Sequence, residues 1–217
     1  MEVVSVTMAR VAALLEVQSL DPFGKSSDLD AIKRMVDRYT FEEFPTTLKE
    51  LDFQKGVELL GGKLANININ KLTILLNGLV IDTRSSTEDS EAVLNDLIKT
   101  AHEAFGAVVK PSRVLFTSQI TFRSELKIVN INPKLQPLAD RVSSIVSRDM
   151  GQEVVFEPTA MWCVSDLTKI KINPGAFTID RRAEAPFSDN MYFSSAPVRT
   201  PEHLELVKQL EAILLGG

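Results

Sequence analysis

Leu72-Thr73-Ile74-Leu75-Leu76-Asn77-Gly78-Leu79-Val80-Ile81-Asp82-Thr83-Arg84 is the stretch whose reading decides the fold. An Asn-Gly pair between two apolar runs is the strongest short-range hairpin signal a chain can carry. With Asn77-Gly78 as a two-residue loop, Leu76 faces Leu79, Leu75 faces Val80, Ile74 faces Ile81, Thr73 faces Asp82, Leu72 faces Thr83 and Lys71 faces Arg84. Side chains alternate between the faces of a strand. One face therefore carries Leu72, Ile74, Leu76, Leu79, Ile81 and Thr83, and reads as core. The other carries Lys71, Thr73, Leu75, Val80, Asp82 and Arg84, so that Leu75 and Val80 sit among charges.

Upstream, residues 65–70 alternate with Ile67 and Ile69 on one side and three asparagines on the other, whereas the hairpin core begins at even numbers. This change of parity demands a bulge or a tight turn near Asn70 and Lys71, because the side-chain period of a strand is two. The twin Gly61-Gly62 are expected to end whatever element precedes them, a helix or a loop leading to a strand within residues 47–60. Residues 3–17 are apolar enough for a strand buried on both faces, the preferred reading, or for a buried helix. After the turn signal Asp21-Pro22-Phe23-Gly24, Ser27 with Asp30 approximates a capping box for a helix with Leu29, Ile32, Met35, Val36 and Tyr39 on one stripe.

Downstream of the hairpin, Ser85 and Glu88 form an S-x-x-E box opening a helix that buries Leu94, Leu97, Ile98, Ala101, Ala104 and Phe105 before Gly106 stops it. Val114, Phe116, Ser118, Ile120 and Phe122 mark the inner face of a strand. A third helix follows Asn132-Pro133 with Leu135, Leu138, Val142, Ile145 and Val146 inside, Pro137 in its first turn and Gly151 as its stop. Residues 154–164 read as an edge strand or a bulge because Pro158 interrupts them. Strands over 177–184 and 191–195 and a helix opened by Thr200-Pro201, with Leu204, Val207, Leu210, Ile213 and Leu214 inside, complete the chain. Hairpins between helices exclude a strictly parallel doubly wound sheet. The fold class is α+β, with mainly antiparallel sheet packed against about four to five helices. It forms either one compact domain over residues 1–217 or two α+β sub-domains meeting near residues 107–112.

The chain has 217 residues, 44% of them apolar and 24% charged, with a net charge of −5. A pI near 5.2 argues against a broad electrostatic grip on nucleic acid. No run of about 18 uncharged apolar residues spans a bilayer, and Arg10 interrupts the only stretch resembling a leader. The single cysteine, Cys163, permits no internal disulfide and fits a reducing compartment. These features together set the expectation of a cytoplasmic protein that binds neither membrane nor nucleic acid broadly.

Chemistry-bearing motifs are sparse. There is no phosphate-cradling glycine loop and no nucleophile elbow. His102 and His203 lie on separate helices without zinc-ligand spacing, His203 at a helix start where an imidazole meets solvent. Cys163 beside Trp162 reads as a buried packing residue. No catalytic residue, metal ligand set or cofactor is assigned. The least generic loop is Pro186-Phe187-Ser188-Asp189-Asn190-Met191-Tyr192-Phe193, which joins aromatic rings to hydrogen-bonding side chains as recognition loops do.

Two functions from different classes follow. The first is a non-catalytic binding or assembly subunit, meeting a protein partner or a second copy of itself through the sheet face at Leu75 and Val80 and through Arg181, Phe187, Asn190 and Tyr192. The second is a metal-dependent enzyme acting on a phosphate-containing substrate, with Asp166 and Asp180 on the metal and Arg181 or Lys169 on the phosphate. The first is the working expectation, since nothing in the residues gives an enzyme its motif.

Overall fold

A computed structural model describes residues 1–19, 28–105 and 107–216. The turn at residues 21–24, the Ser27 cap and the Gly106 stop lie outside the described residues. In chain order the elements are β1 (Glu2–Ser19), α1 (Asp28–Tyr39), β2 (Val57–Leu64), β3 (Ile67–Leu75), β4 (Gly78–Thr83), α2 (Thr87–Phe105), β5 (Ala107–Arg123), α3 (Gln136–Met150), β6 (Ala160–Cys163), β7 (Phe177–Arg181), β8 (Met191–Ala196) and α4 (Thr200–Leu215). The hydrogen-bonded strand order is β2-β3-β4-β1-β5-β8-β7-β6, in an antiparallel sheet. The fold is thus α+β, with four helices among the described residues. None of them is long and apolar enough to cross a membrane.

The chain divides into two compact units. One comprises Val6–Gln119 with Pro197–Thr200, the other Met1–Ser5, Ile120–Ala196 and Pro201–Gly217. β1 and β5 contribute residues to both, and residues 107–112 lie within β5.

In the first unit, Val11 and Ala13 project from β1 into a core shared with Ile32 and Tyr39 of α1, Leu59, Ile69, Leu72 and Ile81 of the sheet, and Val93, Leu94 and Leu97 of α2. The opposite face of β1 is not buried. Leu14 is exposed there, and Arg10 makes a bidentate ion pair to Asp82 at 2.6 and 2.8 Å. The apolar run is therefore a one-sided strand, with charge pairing on its outer face.

The hairpin partitions its faces as read, but its loop is Leu76-Asn77. Leu75 pairs with Gly78, Ile74 with Leu79, Thr73 with Val80, Leu72 with Ile81 and Lys71 with Asp82. The shift is two residues, an even number, so Leu72, Ile81 and Thr83 remain on the buried side. Leu76, placed in the core by the Asn77-Gly78 register, is 73% exposed. Neither Asn77 nor Gly78 has a positive φ, which rules out the type I′ turn that Asn-Gly favours. Gly78 serves β1 instead. It pairs with Leu14, and a Cβ there would stand 2.8 Å from the Ala13 carbonyl oxygen.

The parity change falls where expected. Ile69 pairs with Thr83 and Lys71 with Asp82, leaving Asn70 as the extra residue. β2 carries a matching irregularity: Val57 and Leu59 are buried, then Gly62, while Gly61 adopts φ +68° between the pairs Leu60–Lys71 and Gly62–Ile69. The two glycines do not end β2. Gly62 sits inside it because the Phe41 ring occupies the space, a Cβ lying only 2.4 Å from that ring.

The α2 cap is Ser86, whose Oγ accepts the Asp89 N–H at 3.1 Å, one residue beyond the Ser85 box. Thr87 and Thr200 cap each other: the Thr200 N–H donates to Thr87 Oγ1 at 2.8 Å and the Thr87 N–H to Thr200 Oγ1 at 3.1 Å. Each fills a backbone donor that a helix start leaves open.

The second unit has its own core of Ile120, Phe122, Leu126, Ile179, Tyr192, Ala196 and Val207. α3 starts with Pro137 in its first turn and ends at Gly151 in the left-handed region. None of its residues is fully buried, and Leu138 is 63% exposed. β6 ends the sheet, as the Pro158 reading requires. Cys163 is exposed rather than packed inside, because it lies on that edge. On α4 the inner face runs through His203 and Val207, and Ile213 is turned to solvent. His203 therefore does not meet water at the helix start.

Candidate functional site

The four residues of the second unit singled out by sequence come together at the β7–β8 hairpin. Arg181 pairs with Tyr192 across the two strands. Its guanidinium lies over two rings, 4.6 Å from the Phe187 centroid and 5.4 Å from that of Tyr192. It donates to the Phe187 carbonyl at 2.5 Å and approaches Glu157 at 3.9 Å. A cation held between aromatic faces is fixed in orientation as well as charge.

Tyr192 is fully buried, stacks on Phe122 at 5.5 Å and donates its hydroxyl proton to the Leu126 carbonyl. Burial pushes its phenol above the ordinary range. Asn190 takes the left-handed region at φ 49°, ψ 40°, a conformation asparagine tolerates better than most residues. Its amide donates to Glu125 at 3.2 Å and its carbonyl accepts the Ser124 N–H at 3.2 Å. Phe187 is the open member, 42% exposed at the start of a 3-10 turn over Phe187–Asp189.

Beside this loop a polar cleft of about 550 Å³ opens, lined among others by Arg123, Ser124, Glu125, Asp189, Asn190 and Glu211. Ser124 donates to Glu211, and the Met1 ammonium stands 2.8 Å from the same carboxylate. Burial raises the Glu211 pKa, but these two donors outweigh it and leave the carboxyl below its ordinary range. Ser124, Glu125 and Glu211 carry no local sequence signal. Only the fold brings residues so distant in the chain into one cleft.

Leu75 and Val80 belong to the other unit. Both are half-buried on the outer sheet face, where Thr73 pairs with Val80 and Leu75 lies against Gly56. That face holds the Arg10–Asp82 pair and a Lys71–Glu58 ion pair at 2.9 Å.

The carboxylates considered for metal binding stand in different local settings. Asp166 caps a 3-10 turn after β6, accepting from Thr168 and pairing with Lys169 at 3.2 Å, and those hydrogen bonds lower its pKa. Asp180 lies on β7 and accepts the Trp162 indole N–H at 3.2 Å. Among the described residues no three His, Cys, Asp or Glu side chains gather to hold a metal ion.

One pairing resembles a nucleophile and base. Ser194 Oγ lies 2.8 Å from His203 Nε2, with the Phe177 ring edge-on to the imidazole at 6.3 Å. Both residues are fully buried, and Ser194 Oγ also lies 2.7 Å from the Thr178 carbonyl as its donor. With that proton committed, Nε2–H is the donor to Ser194 and Nδ1 is left without a partner. Burial lowers the His203 pKa to about 4. The pair is out of reach of any substrate and serves packing.

No protein-family model matches the chain, and no curated protein matches it.

Proposed function

We propose that this protein is a non-catalytic binding or assembly subunit that meets a protein partner or a second copy of itself in the cytoplasm. The observation that carries the reading is the amount of apolar surface in the second unit. Between residues 155 and 170, Val155, Phe156, Trp162, Val164, Leu167 and Ile170 are all exposed, and Leu138, Ile145 and Met150 of α3 add to them. Large apolar side chains exposed in such numbers within one stretch of chain mark interaction sites.

Within this reading Phe187 and Asn190 present the loop, and Arg181 and Tyr192 hold its shape. Leu75 and Val80 form a smaller apolar strip on the other unit. Static light scattering and native mass spectrometry of the full chain from tens of nanomolar to hundreds of micromolar test the proposal. A defined complex or oligomer of fixed stoichiometry is the expected result. A strict monomer that also co-purifies with nothing would remove it.

A further inference from the structure

We infer that two copies of the chain associate through the free edge of β6, strand against antiparallel strand, about a two-fold axis at Trp162. The inference rests on the binding reading above and names its occupant.

The two sheet edges are treated differently. At β2 the Glu43 N–H and Glu42 N–H donate to the Leu60 carbonyl, the Leu60 N–H donates to Glu43, and Glu58 and Lys63 add charge. These devices block strand addition. At β6 the edge sequence is Ala160-Met161-Trp162-Cys163, without charge or proline, and Trp162 is 67% exposed.

The pairing with β7 shows which backbone groups are free. Arg181 N–H donates to the Thr159 carbonyl, and Ala160 pairs with Asp180. Hydrogen-bonding direction alternates along an antiparallel strand. Thr159, Met161 and Cys163 therefore turn their backbone groups to β7, and Ala160 and Trp162 turn theirs outward.

Charge selects the second copy. The segment before β6 carries Glu153 and Glu157, and the segment after it carries Lys169 and Lys171 with one carboxylate, Asp166, which pairs with Lys169, so that Lys171 is the cation that faces Glu153 of the other copy in this register. Antiparallel self-pairing lays the acidic flank of one copy along the basic flank of the other, at both ends of the contact, as a two-fold interface requires. Next to the edge an apolar hollow of about 80 Å³, lined by Ile128, Val129, Ile131, Leu135, Pro158 and Met161, is open to a side chain from the other copy. Val164, 72% exposed, faces Ala160 of that copy in this register.

The chain provides its own reporters, since Trp162 and Cys163 are its only tryptophan and cysteine. Sedimentation equilibrium of the full chain is expected to show a monomer–dimer equilibrium. Tryptophan emission should move to shorter wavelength as the dimer forms. A short bis-maleimide should link Cys163 to its counterpart, because diagonal cross-strand neighbours lie about 7–8 Å apart. Trp162→Lys should weaken the dimer by about thirtyfold or more, the size of a hot-spot loss, with an unchanged urea midpoint. Val164→Lys should do the same, which guards against misfolding of the first variant. A dimer with unchanged tryptophan emission and no Cys163 link would overturn this inference and leave the proposed function standing. A monomer at every concentration would overturn the inference and the self-associating form of that function.

Discussion

His203 and Gly78 show how much one residue's neighbours change its meaning. The His203 imidazole is neutral in the fold, with its pKa lowered to about 4, and titrates near 6.5 when unfolded. The unfolded chain therefore binds the extra proton, and stability present above pH 6.5 drains away as pH falls toward 4. Between pH 7 and pH 5 this amounts to about 2 kcal/mol. Urea titrations should show His203→Gln losing less stability than the parent over that interval. Equal losses would mean that the imidazole is not excluded from water. Gly78→Ala should destabilise by about 1–3 kcal/mol, since the obstruction is the backbone oxygen of Ala13 and cannot swing away. Asn77→Ala, in contrast, should stay within about 0.5 kcal/mol, because Asn77 has no positive φ to support. The reverse ranking in thermal melts would restore the Asn-Gly turn.

Elements were legible where a single period governs them. The amphipathic stripe of α1, the alternation of β5 and the proline and glycine bounds of α3 all survive in the fold. The hairpin faces survive because parity tolerates an even error, whereas its pairing depended on β1, a partner absent from any local reading. Gly61 and Gly62 looked like a stop because the Phe41 ring that needs the space lies about twenty residues upstream. The β2–β3 pair carries one extra residue on each strand, Gly61 and Asn70, facing each other. Removing Asn70 alone should misalign β3 with β2, and removing Gly61 alone should do the reverse. Deleting both restores strict alternation through Ile69, Lys71 and Leu72. Denaturant midpoints should place the double deletion above either single one, and a double deletion less stable than both would remove the matched-bulge account. At the candidate site, Phe187, Asn190 and Tyr192 stood out because aromatic and turn residues cluster in sequence. Ser124, Glu125 and Glu211 are joined only by tertiary structure, and the exposure of Trp162 depends on β6 being last in the sheet.

For the whole molecule the two sheet margins decide what kind of assembly is open to it. One margin is sealed by the Glu42–Glu43 backbone at Leu60, and the other is bare at Trp162. Glu43→Pro removes an N–H from the sealed margin. It should yield light-scattering masses above the dimer at concentrations where the parent stops at two copies. Masses unchanged from the parent would show that the charges and the two hydrogen bonds left at Leu60, from the Glu42 N–H and to the Glu43 carbonyl, suffice as a block. A chain with two bare margins can add copies without limit, and its growth ends only in a fibre. With one margin sealed, each copy has a single valence, and growth terminates at the first encounter. In the proposed dimer the short bridge at Glu43 thus acts as a chain terminator, setting the stoichiometry from the side of the sheet that takes no part in the contact.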